Sequence, residues 1–317
     1  MSEKIASRVA YGKALCEFGN NPDIVALDAD LASCTMSVNF AEQYPERFYN
    51  IGIAEANMID IAAGFAATGK IAFCHSFAMF TAGRGYDQIR NCVAYPHLNV
   101  KVVGSHAGLT VGEDGATHQC IEDVSLMRTI PDMTVVIPCD ARETREAVKA
   151  MIAYDGPCYL RTSRLAVEEI TDRVKDYKFE LGKGIILKEG RDVTIAAYGI
   201  MVQKAYAAAE ELEKEGISAR VINLHTMKPF DKELILASAK ETGAIVTVEE
   251  HNIIGGLGSA VSEVIAENVL VPVERVGVED EFGHSGPAEA LLERYGLTVE
   301  NIVGKAKSAI ERKAGKK

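Results

Sequence analysis

The sequence predicts an α/β fold with two domains, each with a mostly parallel sheet covered by helices. Short apolar runs rich in β-branched residues alternate with longer stretches of helical periodicity along the chain. Strands that alternate with helices are typical of parallel sheets buried on both faces. The chain has 317 residues, which exceeds the ~100–200 expected of a single domain. These observations together favour two domains of the same class.

The first half of the chain contains the signals of one such domain. Residues 24–27 have the pattern of a buried strand, and residues 54–68 are rich in alanine and larger apolar residues, which favours a helix. Residues 100–104 and 134–137 are further apolar runs of strand length. We therefore predict one domain over residues 1–165.

The periodicity fails between about residues 163 and 191, where charges accumulate at Glu168–Glu169 and Asp172–Arg173. This change predicts a linker over residues 166–190 and a second domain over residues 191–317. The predicted strands of the second domain are residues 193–198, 219–223 and 244–249, and its predicted helices are residues 201–215, 231–242 and 259–268. The residues from Lys305 to Lys317 are interpreted as a basic tail.

Composition and charge restrict the class of protein. The net charge of −11 argues against a nucleic-acid surface. No apolar run approaches the ~20 residues of a membrane span, and Met1 to Lys4 leads into no signal-like core. The seven cysteines form no C-x-x-C pair, which favours reduced thiols inside the cell. We expect a cytoplasmic protein that binds neither nucleic acid nor membrane.

The first candidate for chemistry is Glu55, in the first turn of the predicted helix. One interpretation is that it only complements the helix dipole, which is worth about 0.3–1 kcal/mol. The other is that Ile51, Ile53, Met58 and Ile59 bury the carboxyl and favour a proton-sharing form. Such a carboxyl is suited to hydrogen-bonding a ring nitrogen in a dry site. The residues alone leave both interpretations open.

The second candidate is the pair Phe77 and Phe80, which share a face if this segment is helical. Ordinary core packing explains the spacing without any ligand. A flat heteroaromatic ring would use the same pair, because offset stacking adds about 0.5–1.5 kcal/mol beyond burial. The pair is a weak signal by itself.

The third and most informative segment is the stretch from Ser105 to Gln119, which follows a predicted strand. It contains three glycines, two histidines (His106 and His118) and two acids. Open α/β sheets place ligand sites after their strands, and glycine lets backbone approach a ligand closely. The alternative is an ordinary surface loop with a turn-forming Asp-Gly. A metal site is a further alternative, but the spacing matches no common zinc pattern.

A second glycine-rich turn, Gly255-Gly256-Leu257-Gly258, could cradle an anion. It lacks the third glycine of the dinucleotide fingerprint because Val261 stands there. Tight turning from strand to helix is the preferred interpretation. Glu249, Glu250 and His251 just before it could be acid–base residues or a solvated strand end.

Together, these segments resemble the transketolase family from Arg8 to about Tyr295. The string from Gly112 to Gln119, Gly-Glu-Asp-Gly-Ala-Thr-His-Gln, is similar to the family's substrate loop. The segment Gly52 to Glu55 is similar to the one that bears its cofactor-activating glutamate. Deoxyxylulose-phosphate synthase and the beta subunits of 2-oxoacid dehydrogenases are related families. Glu113 before Asp114-Gly115, and the Phe77/Phe80 spacing, favour transketolase over both.

The resemblance implies the pyrimidine-binding and C-terminal domains of a thiamine-diphosphate enzyme. It implies transfer of a two-carbon ketol unit from a ketose phosphate to an aldose phosphate. Glu55 would be the proton partner of the pyrimidine N1′, with Asp114 and His118 at the sugar hydroxyls near the reacting carbon. The implied cofactor residues are Glu55, Phe77, Phe80 and Asp30, and the implied sugar-phosphate residues are Arg8, His106, Arg164 and either Ser33 or Cys34. Gly83 in place of a third aromatic residue and Ala54 before the glutamate depart from the family pattern.

The family anchors the cofactor's diphosphate through a divalent cation, Mg²⁺ or Ca²⁺, held by a Gly-Asp-Gly motif. That string does not occur in this chain, so no metal ligand is predicted here. Met1 lies only a few residues before Arg8, so we expect no diphosphate-binding domain at the N-terminus. The resemblance therefore implies a partner subunit that carries the diphosphate-binding domain, in a heterotetramer of two pairs. Half of a deoxyxylulose-phosphate synthase, a 2-oxoacid dehydrogenase beta subunit and a catalytically silent scaffold are the alternatives.

Overall fold

The computed structural model describes residues 3–315, which form two mostly parallel sheets with helices on both faces and one small two-stranded sheet. The strands of the first half are β1 (Ile5–Ala6), β2 (Ile24–Asp28), β3 (Phe48–Asn50), β4 (Ile71–Phe77), β5 (Val100–Ser105), β6 (Thr134–Val136), β7 (Cys158–Arg161) and β8 (Ala166–Val167). Its helices are α1 (Ser7–Phe18), α2 (Ala32–Thr35), α3 (Val38–Gln43), α4 (Glu55–Ala67), α5 (Tyr86–Gln88), α6 (Asp123–Thr129) and α7 (Ala141–Ala153).

The second half repeats this alternation. Its strands are β9 (Ile185–Lys188), β10 (Val193–Ala197), β11 (Ala219–Asn223), β12 (Thr226–Lys228), β13 (Ile245–Asn252) and β14 (Val273–Val278). Its helices are α8 (Met201–Lys214), α9 (Lys232–Thr242), α10 (Leu257–Asn268), α11 (Ala288–Arg294) and α12 (Val299–Lys313). Within residues 3–315, no helix combines the length and the apolar character needed to span a bilayer.

The first sheet has the order β12-β6-β7-β5-β4-β2-β3, and the second has the order β14-β13-β10-β11-β9. Only the outer strands β12 and β9 pair antiparallel within these two sheets. Strands β2 and β10 are buried along their whole length, as expected for parallel strands covered on both faces. The predicted α/β class with mostly parallel sheets is confirmed.

A strand that the sequence did not predict links the two halves. Strand β12 follows β11 of the second sheet but pairs with β6 of the first. The two cores also meet, because Leu109 and Ile121 of the first half belong to the apolar cluster that contains Val246 and Val248 of β13.

The interpretation of the C-terminal residues as a basic tail is wrong for the part that the structure describes. Thr298 accepts a hydrogen bond from Asn301 N at 3.2 Å and begins helix α12, which extends to Lys313. Ile302, Ala306 and Ala309 are buried at helical spacing. Lys313 donates from Nζ to Thr242 O at 2.6 Å, so these residues form a helix packed on the second sheet. The last two residues of the predicted tail, Lys316 and Lys317, lie outside the described residues.

Candidate functional site

The candidate site lies at the carboxyl ends of the parallel strands of the first sheet. The chain that leaves β3 turns at Gly52 (φ 79°) and enters α4 at Glu55. The Glu55 side chain is only 4% exposed and lies above the buried Met58 and Ile59. Ile53 was expected to help bury it, but Ile53 is 76% exposed.

Arg84 is the residue near Glu55 that the sequence analysis missed. Its Nη1 lies 3.0 Å from Oε1 of Glu55, and its guanidinium carbon lies 4.5 Å from the centre of the Phe80 ring. The Arg84 side chain is 55% exposed, whereas its partner is buried. The sequence feature that could have indicated Arg84 is its short distance along the chain from Phe80, within the same turn.

A cavity of about 340 Å³ opens directly above this ion pair. It is lined by residues that follow several strands of the first sheet, and these include Ala29, Asp30, Leu31, Ile53, Glu55, Phe80, Arg84, Thr117 and His118. Asp30 has a positive φ of 64°, and its Oδ1 accepts a hydrogen bond from Asn50 at 3.0 Å. The structure thus brings Glu55, Asp30, Phe80 and His118 around one opening.

The two phenylalanines are stacked, although not on a helix as expected. Phe77 is the last residue of β4, and Phe80 lies in the π-helical turn Met79–Arg84. Their ring centres are 5.9 Å apart with planes 13° from parallel. His106 stacks on Phe77 at 4.1 Å, and His118 meets the Phe80 ring edge-on at 5.2 Å. Of the two phenylalanines, only Phe80 lines the cavity.

The loop after β5 carries Asp114 and His118 at its exposed tip. Arg164, which follows β7, donates from Nη1 to Val111 O at 2.6 Å. The same nitrogen lies 3.8 Å from both Glu113 and Asp114. The Asp114 carboxylate therefore faces Arg164, and the loop and the arginine form one side of the site.

Arg8 and Arg164 both lie close enough to His106 to affect its charge. Burial and the two guanidinium groups lower the pKa of His106 to about 3, with burial the larger cause. At neutral pH, the ring is therefore uncharged and serves as a hydrogen-bonding group, with Nδ1 2.8 Å from Ser105 Oγ. The predicted sugar-phosphate residues Arg8, His106 and Arg164 are thus neighbours.

Arg8 also contacts the short helix α2, which contains Ser33 and Cys34. Its Nη1 donates to Cys34 O at 2.7 Å, while its Nε is buried without a hydrogen-bond partner among residues 3–315. Ser33 is exposed and Cys34 is half-buried. The choice between their side chains as an anion contact stays a prediction.

The second glycine-rich turn has no room for an external anion. Glu249 is buried within β13 and accepts hydrogen bonds from Leu257 N at 2.7 Å and Gly258 N at 2.8 Å. Its carboxylate therefore occupies the N-terminus of α10. Glu249 and Glu250 are both buried, so the alternative of a solvated strand end is wrong. Across residues 3–315, no group of three or more His, Cys, Asp or Glu side chains could hold a metal ion.

Comparisons with known proteins agree with this arrangement. The family described as "Transketolase, pyrimidine binding domain" matches residues 3–169, and "Transketolase, C-terminal domain" matches residues 182–302. The chain is 50% identical over 307 residues to a 6-deoxy-6-sulfo-D-fructose transketolase subunit of Clostridium sp. (strain MSTE9), covering 96% of this chain and 95% of that protein. It is 40% identical to one of the subunits of an apulose-4-phosphate transketolase from Phocaeicola vulgatus, with 97% of each chain covered.

A solved structure described as "Split gene transketolase, inactive beta4 tetramer" matches with a TM-score of 0.89 at 50% identity. The match covers 98% of this chain and 100% of that one. The resemblance inferred from the motifs is thereby confirmed. This chain belongs to the transketolase family, of which it carries the pyrimidine-binding and C-terminal domains.

Proposed function

We propose that the chain is one subunit of a split, thiamine-diphosphate-dependent transketolase that moves a two-carbon ketol unit from a ketose phosphate to an aldose phosphate. The observation that carries the proposal is the buried Glu55 carboxyl at the floor of a cavity that Phe80 and His118 border. A carboxyl that is excluded from water beside an aromatic side chain is suited to hold a proton at the nitrogen of a bound heteroaromatic ring.

The residues present fit the pyrimidine ring of this cofactor. Glu55 offers the carboxylate oxygen that one ring nitrogen needs, and Phe80 offers an aromatic face at the cavity wall. When bound, thiamine diphosphate would supply the nucleophilic carbon and the electron sink for the ketol fragment. Glu55 would hold the proton at N1′, Phe80 would orient the ring, and Phe77 would support Phe80 from behind.

Asp114 and His118 would bind sugar hydroxyls next to the reacting carbon, since both stand at the tip of the loop beside the cavity. The distal anion of the sugar would meet Arg8 and Arg164, with neutral His106 as a hydrogen-bonding group between them. A charge-assisted bond from a guanidinium suits phosphate and sulfonate oxygens alike. The Clostridium relative is described as acting on a sulfonated sugar, so both kinds of anion belong in the assay.

The diphosphate and its Mg²⁺ or Ca²⁺ would be held by a separate N-terminal subunit, in a heterotetramer of two pairs. Two relatives of similar length are named as transketolase subunits. The structural neighbour, which consists of beta chains alone, is described as inactive. Both descriptions support the expectation that this chain needs a partner polypeptide.

The test is to purify the chain alone and together with a polypeptide that carries the diphosphate-binding domain. Each sample receives saturating cofactor, magnesium and a ketose–aldose pair, with phosphate or sulfonate at the sugar terminus. We expect ketol transfer from the assembled pair only. Full turnover by the chain alone would overturn the split arrangement, and turnover with pyruvate but not with ketose phosphates would favour the alternative families.

A further inference from the structure

The loop from His106 to Gln119, which we call the sugar loop, belongs to the first domain but is held by the second. Thr110 N donates to Oε1 of Glu250, a residue of β13, at 2.6 Å. Glu250 lies so close to the loop that a Cβ added at Gly108 would stand 2.3 Å from its carboxyl carbon. Gly108, with φ 85°, is therefore required both for its backbone conformation and for this approach.

A second attachment lies at the other end of the sugar loop. Gln119 is buried, and its Nε2 donates to Leu109 O at 3.0 Å within the loop and to His284 O at 2.9 Å in the second domain. Its neighbour Gly283 packs so tightly that a Cβ there would stand 1.8 Å from Oε1 of Gln119. Each end of the loop is thus bonded to the second domain by a buried side chain.

Arg161 completes this support from beneath. It is buried, its Nε donates to Asp123 Oδ2 at 2.9 Å, and its Nη2 donates to Glu250 O at 2.9 Å. Burial raises the pKa of the Glu250 carboxyl to about 7, against the opposing effects of Arg161 and the bond from Thr110. Oε2 of Glu250 has no hydrogen-bond partner within residues 3–315. A carboxyl kept in such surroundings, with one oxygen committed to a loop amide, has the placement of a positioning group.

We infer that Glu250 and Gln119 are positioning residues, through which the C-terminal domain holds the sugar loop so that Asp114 and His118 face the substrate. The inference rests on the proposed function and extends it, because it assigns the C-terminal domain a role in sugar binding. The anchoring groups are buried, whereas Asp114 and Glu113 are exposed at the loop tip. Fixing the backbone therefore orients these side chains without occupying them.

The test compares Glu250→Ala, Glu250→Gln and Glu249→Ala in the full chain assembled with its partner subunit. Losing a hydrogen bond to a buried charged group should raise the KM for the sugar phosphates roughly ten- to a hundredfold in Glu250→Ala. The dissociation constant of the cofactor should change less than the KM, because Glu250 is absent from the lining of the Glu55 cavity and only Thr117 and His118 of the loop reach it. Glu250→Gln keeps a carbonyl oxygen for Thr110 N, so it should restore the KM to within about threefold of wild type.

Glu249→Ala is the matched control, since Glu249 is the adjacent buried glutamate but its carboxylate bonds to α10 instead of the loop. It should lower the Tm and leave the sugar KM unchanged. Equal KM increases in Glu249→Ala and Glu250→Ala, or no increase in Glu250→Ala, would overturn the inference. If Glu250→Ala does not fold, Gln119→Met carries the same expectation for the second attachment, and an unchanged sugar KM in that variant would overturn it.

Hydrogen–deuterium exchange separates this inference from the proposed function. Peptides covering residues 106–120 should exchange faster in Glu250→Ala than in wild type or in Glu249→Ala, whatever reaction the complex performs. Unchanged exchange in Glu250→Ala would contradict the attachment itself. If Glu250→Ala exchanges faster than wild type but the wild-type complex performs no ketol transfer, the proposed function is contradicted and the attachment of the loop is supported.

Discussion

At the carboxyl end of the first sheet, the turns after β3, β4 and β5 leave Glu55, Phe80 and His118 around an open cavity. At the corresponding end of the second sheet, the turn after β13 is closed, because the carboxylate of Glu249 fills the N-terminus of α10. Both ends have the strand-to-helix turns that bind ligands in α/β proteins. The difference shows that a glycine-rich turn predicts that some group approaches its backbone closely. That group can be a side chain of the same protein instead of a ligand.

The largest expected effect separates the two ends through their glutamates. Glu55→Ala should lower the kcat of the assembled enzyme by about 10²–10⁴-fold, as is typical when a general acid–base group is lost. Exchange of the C2 proton of bound cofactor should slow in parallel, which NMR measures. Glu249→Ala should instead lower the free energy of unfolding by about 1–3 kcal/mol, since two buried amides lose their acceptor. Wild-type proton exchange in Glu55→Ala would show that Glu55 is not the activating group.

The next effect concerns the anion side of the open end. Arg164→Ala should weaken the binding of phosphorylated acceptors roughly ten- to a hundredfold and that of unphosphorylated acceptors far less, because the lost hydrogen bond is charge-assisted. Steady-state kinetics with both kinds of acceptor measures this ratio. Because Arg164 also donates to Val111 O, equal losses for both acceptors would mean that the arginine only supports the loop.

A smaller effect is a pH dependence of stability from His106. Its pKa is lowered to about 3, so between pH 6.5 and 3 the unfolded state binds a proton that the native state does not. The contribution of His106 to the free energy of unfolding is fully present above pH 7 and decreases as the pH falls from 6.5 towards 3. Denaturant titrations at pH 7 and pH 5 measure the free energy of unfolding. Between these two pH values it should fall by about 1–2 kcal/mol less in His106→Gln than in wild type. An identical loss in both proteins would contradict a neutral, buried His106.

The smallest expected effect is that of Arg84, whose ion pair with Glu55 is more than half exposed on the arginine side. Its guanidinium covers the Phe80 ring, where a flat ring would stack. Arg84→Ala should therefore tighten cofactor binding, by less than about fivefold because such pairs contribute about 1 kcal/mol or less. Calorimetric titration of the assembled complex measures this, with the exposed Arg90→Ala as control. Weaker binding in Arg84→Ala would mean that the arginine assists the cofactor.

The sequence predicted the strands that are continuous apolar runs, such as β2 and β10, because complete burial leaves a clear pattern. It indicated no strand at β4, where His75 and Ser76 interrupt the apolar run. The structure shows that His75 is buried there, with Nδ1 2.6 Å from Leu27 O. Strand β12 is only three residues long and pairs with a distant partner. Its identity depends on tertiary contacts that no local pattern contains.

In the site, the family motif was sufficient to indicate Glu55, Asp114 and His118, since each belongs to a contiguous string. Arg84 escaped because it sits in a π-helical turn, whose spacing differs from that of an ordinary helix. Glu250 escaped for another reason. Its partner Thr110 is 140 residues away in the chain, and a glutamate within a strand has no sequence feature that reveals such a contact.

The pairing of β12 with β6 has a consequence for any attempt to divide the chain. A fragment cut at the connecting segment, near residue 175, would leave β6 without its outer neighbour and expose a row of unpaired backbone groups. Exposed strand edges recruit other strands, so such a fragment would tend to aggregate. The complementary fragment would carry Thr226–Lys228 without the sheet that orders it. The two lobes should therefore melt as one cooperative unit, and they should be expressed together.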